Sequence, residues 1–295
     1  MLEFKKWEVE GFEFKDIILE KSGYVSRITL NDPETMNTGV KDFWKALSVV
    51  EQADDIKVLI IKGAGRALAA GAPLHEVGFV YGWKAPKSGE KMPKTAIRSR
   101  LKFDRNLFYE CAMKLLFFPK ITVVQAHGFL LGASMDMYML CDFLVGAEDC
   151  KFGEIEVRLG IPQMTITPIM ILRVGLTHAL DMCLTGRMMD GKEAEKIGLI
   201  NRAVPADKLE EAVNNYAEGF SKFPFDGIAL GKTSKQMVYD MMHITSGLSN
   251  HFLAHTMGTN IHFEDDEFNF FKARRDMGVR DAIHARNKLY EQLDK

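Results

Sequence analysis

The feature that most constrains this chain is a recurrence of short, nearly unbroken apolar runs, each followed by a pattern of another kind. "IKVLIIKG" (56–63), "ITVVQAHG" (121–128) and "CDFLVGAED" (141–149) are runs of this type. A strand with one wet face alternates polar and apolar residues, whereas a continuous run suits a strand covered on both faces. "YVSRITL" (24–30) does alternate, and also reads as a strand. Between these segments "VKDFWKALSVVEQ" (40–52) spaces Phe43, Trp44, Leu47 and Val50 as one face of a helix. Strands separated by helices predict an α/β fold built from right-handed crossovers.

After about residue 165 the pattern becomes helical. "ITPIMILRVG" (166–175) and "THALDMCLTG" (177–186) predict a helical pair. "DGKEAEKIGLI" (190–200) opens on Asp190 as an N-cap and closes near Gly198. "ADKLEEAVNNYAEGF" (206–220) is amphipathic at helical spacing. These signals divide the chain into a core over 1–205 and a helical region over 206–295.

At 295 residues the chain can bury a sizeable core without metals or disulfides. Its four cysteines, Cys111, Cys141, Cys150 and Cys183, are scattered and form no CxxC pair. Cys141 lies in an apolar stretch that suits a buried thiol, so a reducing, cytoplasmic setting is expected. No apolar run approaches a membrane span, and the N-terminal "MLEFKKWEVEGFEF" lacks the apolar core of a signal peptide. A net charge of −2 argues against general nucleic-acid affinity. The exception is an insert at about 80–105, "YGWKAPKSGEKMPKTAIRSRLKFDR". Its Lys84, Lys87, Lys91, Lys94, Arg98, Arg100, Lys102 and Arg105 face only Glu90 and Asp104. It is expected to be a loop that turns helical, overhanging the mouth of any site between its flanking strands.

Two turns carry the chemistry: "RALAAGAPLHEV" (66–77) and "HGFLLGASMD" (127–136). Each delivers small residues at the end of a strand, where open α/β sheets place ligands. Small side chains let a substrate approach backbone N–H groups, and two such groups from separate turns would make an oxyanion hole. Small residues after a strand also serve as ordinary turns.

The paired turns, followed by "CD", "FGEIEVRLGIP" (152–162) and "LTGRMMDGKEAEKIGLINRAVP" (184–205), closely resemble the crotonase (enoyl-CoA hydratase/isomerase) superfamily over about 14–275. The resemblance implies an α/β fold of the crotonase type, a ββα spiral with a C-terminal helical trimerisation region. It implies a homotrimer or homohexamer binding an acyl-CoA thioester, with coenzyme A as part of the substrate, no other cofactor and no metal. The N–H groups of Ala72 and Ala133 would form the oxyanion hole, and Asp136 and Glu156 would carry acid/base chemistry. Thr35, Met36, Ala69, Ala70 and Gly71 would face the CoA moiety, and Arg274 would lie near its phosphates.

The carboxylates have plainer readings too. Asp136 at the head of a helix would favour the dipole, and Glu156 and Glu154 could be solvated strand residues. Asp142 suits a buried hydrogen-bonding role, and His75 and His127 read as polar neighbours of the site. Departures from the family pattern bear on the reaction. Ala133 and Ser134 replace common glycines, and Pro73 stands where an acid is usual. Asp136 replaces the glutamate of hydratases, pulling the carboxylate back by about 1.5 Å. Aspartate there is similar to the dienoyl-CoA isomerase branch, whose further acid would fall near Met164 and is absent. Hydratase/isomerase-type chemistry on a cyclic, branched or aromatic acyl group is therefore expected. The alternatives are C–C bond hydrolysis or lysis of a β-keto or ring acyl-CoA, and an inactive binding protein.

Overall fold

The apolar runs pair as expected in a computed structural model, which describes residues 2–76, 96–161, 167–258 and 262–294. One sheet has the order β1 (Lys5–Lys6), β2 (Ile17–Ser22), β3 (Val25–Leu30), β4 (Val58–Gly63), β5 (Ile121–Ala126), β7 (Phe143–Ala147) and β9 (Arg202–Val204). The first three strands are antiparallel, and β3 to β9 run parallel. Val58, Leu59, Ile60 and Ile61 of β4 are all buried, as a doubly covered strand requires.

A second, shorter layer stacks beside this sheet. In it β6 (Phe129–Leu131) pairs in parallel with β8 (Lys151–Gly153), Ala69 bridges Leu130, and Phe152 bridges Met189. Successive passes of the chain thus lay a strand in the large sheet and a short rung in the second layer, which is the expected ββα spiral. Helix α1 (Phe43–Gln52) buries Phe43, Ala46, Leu47, Val49 and Val50. The helical region begins with α7 (Leu209–Ser221), whose Leu209, Val213 and Ala217 join the main core.

The segment 166–186 forms α5 (Thr167–Thr185), and here the sequence expectation needs correcting. Residues 168–185 have a mean hydropathy of 1.2, enough by length and composition for a membrane span. Gly175, at φ 73° and ψ 166°, breaks the helix into two arms, each well short of the ~20 residues a span needs. The break restores the predicted helical pair. The next helix, α6 (Gly191–Lys196), is capped as predicted: Asp190 accepts the Glu193 N–H at 2.9 Å, and Gly198 follows at φ 82°.

The basic insert is described only in part. Lys84, Lys87, Lys91 and Lys94 of the basic insert lie outside the described residues. Its second half is helical as α2 (Ile97–Arg105), but Arg100 and Asp104 are buried. Arg100 donates to the Thr256 carbonyl, Thr256 Oγ1 donates to Asp104 at 2.6 Å, and His255 Nδ1 lies 3.2 Å from Asp104. These groups tie α2 to α9 (Ile244–Gly258) instead of facing solvent over a site. The tail folds onto its own chain: Phe270 is fully buried with Leu159 and Ala282, and Phe268 and Phe271 pack around them. All four cysteines are free thiols.

Candidate active site

Both small-residue turns arise at the C-terminal ends of parallel strands, after β4 and β5, and the second layer brings them together. Ala69 N–H donates to Phe129 O and Leu131 N–H to Ala69 O, both at 3.2 Å. A Cβ on Gly71 would lie 3.1 Å from Leu131 O, so the glycine sets how closely the turns approach. The loop carrying Thr35 and Met36 joins them through Ala70 N–H, which donates to Met36 O at 3.1 Å. Sequence reading missed the clamp, Asn37. It is 4% exposed, sits at φ 61°, and its Nδ2 reaches the carbonyls of Ala64, Ala67 and Leu68 at 3.0–3.1 Å. Only a residue tolerant of positive φ with a donor of this reach can hold the first turn from that position. Among the described residues, Ala72 N–H has no hydrogen-bond acceptor.

The second turn leads directly into α4 (Gly132–Tyr138). Asp136 is its fifth residue and lies beyond the first turn, which removes the simple dipole reading, and its 2% exposure excludes a solvated charge. Glu156 is not on a strand either. Strand β8 ends at Gly153, and Glu156 lies in a 3₁₀ helix, Ile155–Leu159, with fully buried Glu154 just before it. That helix aims the Glu156 carboxyl at the second turn: Ala133 N–H donates to Glu156 Oε1 at 2.8 Å. A Cβ at Gly132 would lie 2.0 Å from the same oxygen, so only glycine leaves this seat open. Glu156 Oε2 is buried and has no hydrogen-bond partner.

Burial, and then the negative charge of Asp136, raise the Glu156 carboxyl to about 7, although backbone N–H groups and the charge of Arg286 pull the other way. Near neutral pH the Glu156 carboxyl is therefore poised between its protonated and ionised forms, beside the Asp136 carboxyl that helps raise it. Cys183 lies close enough to feel both: burial first, then Asp136 and Glu156, push its thiol up to about 12. It stays a neutral wall.

The C-terminal helices α10 (Phe270–Met277) and α11 (Val279–Leu289) pack on this region. Arg274 Nη1 donates to Leu74 O at 2.7 Å, two residues beyond Ala72, so its guanidinium is fastened to the first turn. Arg158 forms a two-pronged pair with Asp294 at 2.6 and 2.9 Å, fixing the chain end beside the Glu156 segment. Neither Arg158 nor Arg286 stands out in sequence, because no local motif relates them to Glu156. The structure thus gathers Thr35, Met36, Ala69, Ala70, Gly71, Ala72, Ala133, Asp136, Glu156 and Arg274 around the two linked turns. His127 Nε2 lies 3.0 Å from Gly65 O, and His75 is exposed on the turn beyond Ala72.

This spiral with two linked small-residue turns and a buried carboxyl pair is the architecture of the crotonase superfamily. The enoyl-CoA hydratase/isomerase family model matches residues 20–245, and the chain belongs to that family. A probable enoyl-CoA hydratase of Rhizobium meliloti (strain 1021) is 31% identical over 227 residues, covering 74% of this chain and 80% of that protein. The short-chain-enoyl-CoA hydratase of Clostridium acetobutylicum is 29% identical over 232 residues, covering 77% and 82% respectively. In fold, the chain is similar to a solved enoyl-CoA hydratase/isomerase from Xanthobacter autotrophicus Py2. The TM-score is 0.81 at 22% identity, with 94% of this chain and 99% of that one covered. The protein is an enzyme of the enoyl-CoA hydratase/isomerase type.

Proposed function

We propose that this enzyme acts on an acyl-CoA thioester whose acyl group is cyclic, branched or aromatic, through an enolate held by the N–H groups of Ala72 and Ala133. The observation that carries the reading is the hydrogen bond from Ala133 N–H to Glu156, beside buried Asp136. It places a proton-carrying group against one of the two donors on which the negative oxygen would rest. A thioester oxygen taking up Ala133 N–H displaces Glu156 Oε1, so seating the substrate releases the carboxyl for proton transfer. Fixed N–H dipoles stabilise the enolate without reorganising, each worth on the order of 10²–10³ in rate. Asp136 and Glu156 then move protons at the acyl carbons, a contribution of about 10²–10⁴. The shorter Asp136 side chain favours an acyl group that reaches toward it. The Thr35–Met36 loop, 69–71 and Arg274 border the CoA moiety in this reading.

Oligomerisation is part of the proposal. Ile171, Leu172, Leu176, Leu180 and Leu184 of α5 are exposed, an apolar face consistent with a trimer or a dimer of trimers. Light scattering at micromolar concentration should give one of these; a monomer would overturn this part.

The reaction is tested by incubating the protein with saturated, unsaturated, cyclic and aromatic acyl-CoAs and reading product masses. Gain of water or an isomer of unchanged mass supports the reading. Chain cleavage would point to the C–C bond hydrolase or lyase alternative, and no product from any substrate to a binding protein.

A further inference from the structure

A second cavity lies away from the two turns. It is an open groove of about 580 Å³ that touches Ile121 and Phe143, the first residues of β5 and β7. The candidate active site follows the other ends of the parallel strands, roughly 17 Å along a six-residue strand. The far wall is α8 (Phe225–Met241) together with Phe223 and Pro224.

The charges in this cavity do not balance. Asp142 Oδ2 accepts from Thr122 N–H at 2.9 Å, Thr122 Oγ1 at 3.0 Å and Lys232 Nζ at 2.5 Å, and its Oδ1 accepts from Lys235 Nζ at 2.7 Å. One carboxylate is thereby saturated, while each ammonium keeps donors to spare. Arg173 also lines the cavity, fastened through Nε to Met139 O at 2.8 Å and through Nη2 to Cys141 O at 2.6 Å. Three cations meet one anion. The remaining walls are largely apolar: Phe143, Phe223, Ile228 and the ring of Tyr239. Burial lowers the Lys232 ammonium to about 8, and the charge of Lys235 adds to that effect against the pull of Asp142.

We propose that this cavity is a second ligand site, which takes a small monocarboxylate with an apolar body. The carboxylate would meet the spare donors of Lys232 and Lys235, and the body would lie against Phe143, Phe223 and Ile228. The volume is that of a small-molecule pocket, and the mixture of apolar wall and a few convergent polar groups is the usual composition of one. A free phosphate would satisfy the cations but leave the apolar walls uncovered, which is why the carboxylate is favoured.

The test is calorimetric titration of the intact protein with hexanoate, hexanamide and inorganic phosphate. Hexanoate should bind once per chain, and hexanamide at least about tenfold more weakly, the worth of one charge-assisted hydrogen bond. Lys235→Met should weaken hexanoate by a similar factor. Gly231→Leu is the second variant: Gly231 lines the cavity within a helix, and a Cβ there meets nothing within 4 Å. Leucine should fold, fill the space and abolish hexanoate binding while leaving acyl-CoA turnover unchanged. The proposal fails if hexanoate shows no saturable binding, if hexanamide binds equally, or if phosphate binds and hexanoate does not. It also fails if Gly231→Leu binds normally, or if crotonyl-CoA displaces hexanoate.

Discussion

Asp136, inside α4, and Asp142, four residues past its end, are both shielded from solvent, yet their surroundings are opposite. Burial pushes Asp142 up, but the charges and hydrogen bonds of Lys232 and Lys235 outweigh it and hold the carboxyl below its ordinary range. Asp136 has Glu156 beside it, and burial and that neighbouring charge raise the Glu156 carboxyl against the pull of backbone N–H groups and the charge of Arg286. Cations and hydroxyls make one carboxylate a fixture; crowding and burial make the other pair a proton store. In the proposed mechanism one residue type serves structure at one end of the sheet and chemistry at the other.

The sharpest way to break this comparison is through turnover. Asp136→Asn and Glu156→Gln should each lower kcat by about 10²–10⁴ with little change in acyl-CoA affinity. The double variant should lose far less than the product of the two, as residues acting as a unit do. Steady-state kinetics with a calorimetric Kd for each variant decides it, and full turnover in Asp136→Asn would return that residue to a structural role.

Stability should respond in the opposite sense. Asp142→Ala strands Lys232, Lys235 and the Thr122 donors, and removal of one partner from such a buried pair costs about 3–5 kcal/mol. Asp136→Asn removes a crowded charge and should cost far less. Urea unfolding of both variants checks the contrast; equal losses would erase it.

Close backbone approach admits few residue types, so "AAGAP" and "LGASMD" were legible as small-residue turns, and the family pattern is what set them apart from ordinary ones. Asp136 and Glu156 were legible through the family pattern. The contact between Glu156 and Ala133 was not, since it needs a 3₁₀ helix 23 residues downstream and the missing Cβ of Gly132. The surroundings of Arg100 and Asp104 in the basic insert were hidden for a related reason. Arg100 and Asp104 look like solvated charges until α9, about 150 residues later, supplies Thr256 and His255. Asp142 suits a structural hydrogen-bonding role on its sequence alone, but its lysines lie 90 and 93 residues away on α8. Local pattern reveals which backbone must be small; it does not reveal which charges meet.

The two ends should also differ in pH dependence. Folding raises Glu156 from 4.5 to about 7, so its ionised form is disfavoured in the native state. The stability it contributes is fully present below pH 4.5 and is lost as pH rises through about 7. Glu156→Gln, which keeps an acceptor for Ala133 N–H, should therefore gain on the wild type across that window, by no more than about 3 kcal/mol. Asp142, depressed in the fold, contributes stability above the ordinary carboxylate range and loses it in acid. Thermal melts from pH 4 to 8 should show the Glu156→Gln advantage opening upward with pH; a constant offset would count against the raised carboxyl.

The smallest expected effect tests how Asp142 is fixed. Thr122 Oγ1 donates to Asp142 Oδ2 at 3.0 Å and accepts Asp142 N–H at 2.8 Å, so one hydroxyl closes a small ring around the carboxylate. Thr122→Val keeps the branched shape on β5 and the Thr122 backbone donor but leaves the Asp142 N–H without its partner. A lost hydrogen bond with one buried group stranded costs about 1–2 kcal/mol. Because Lys232 and Lys235 still neutralise Asp142, the penalty should stay well below that of Asp142→Ala. Because the candidate active site follows the far end of β5, kcat and acyl-CoA affinity should not move. Urea unfolding read beside turnover separates the two properties. A fall in kcat with stability intact would mean that the ends of the sheet communicate, and the division of labour between Asp136 and Asp142 would have to be redrawn.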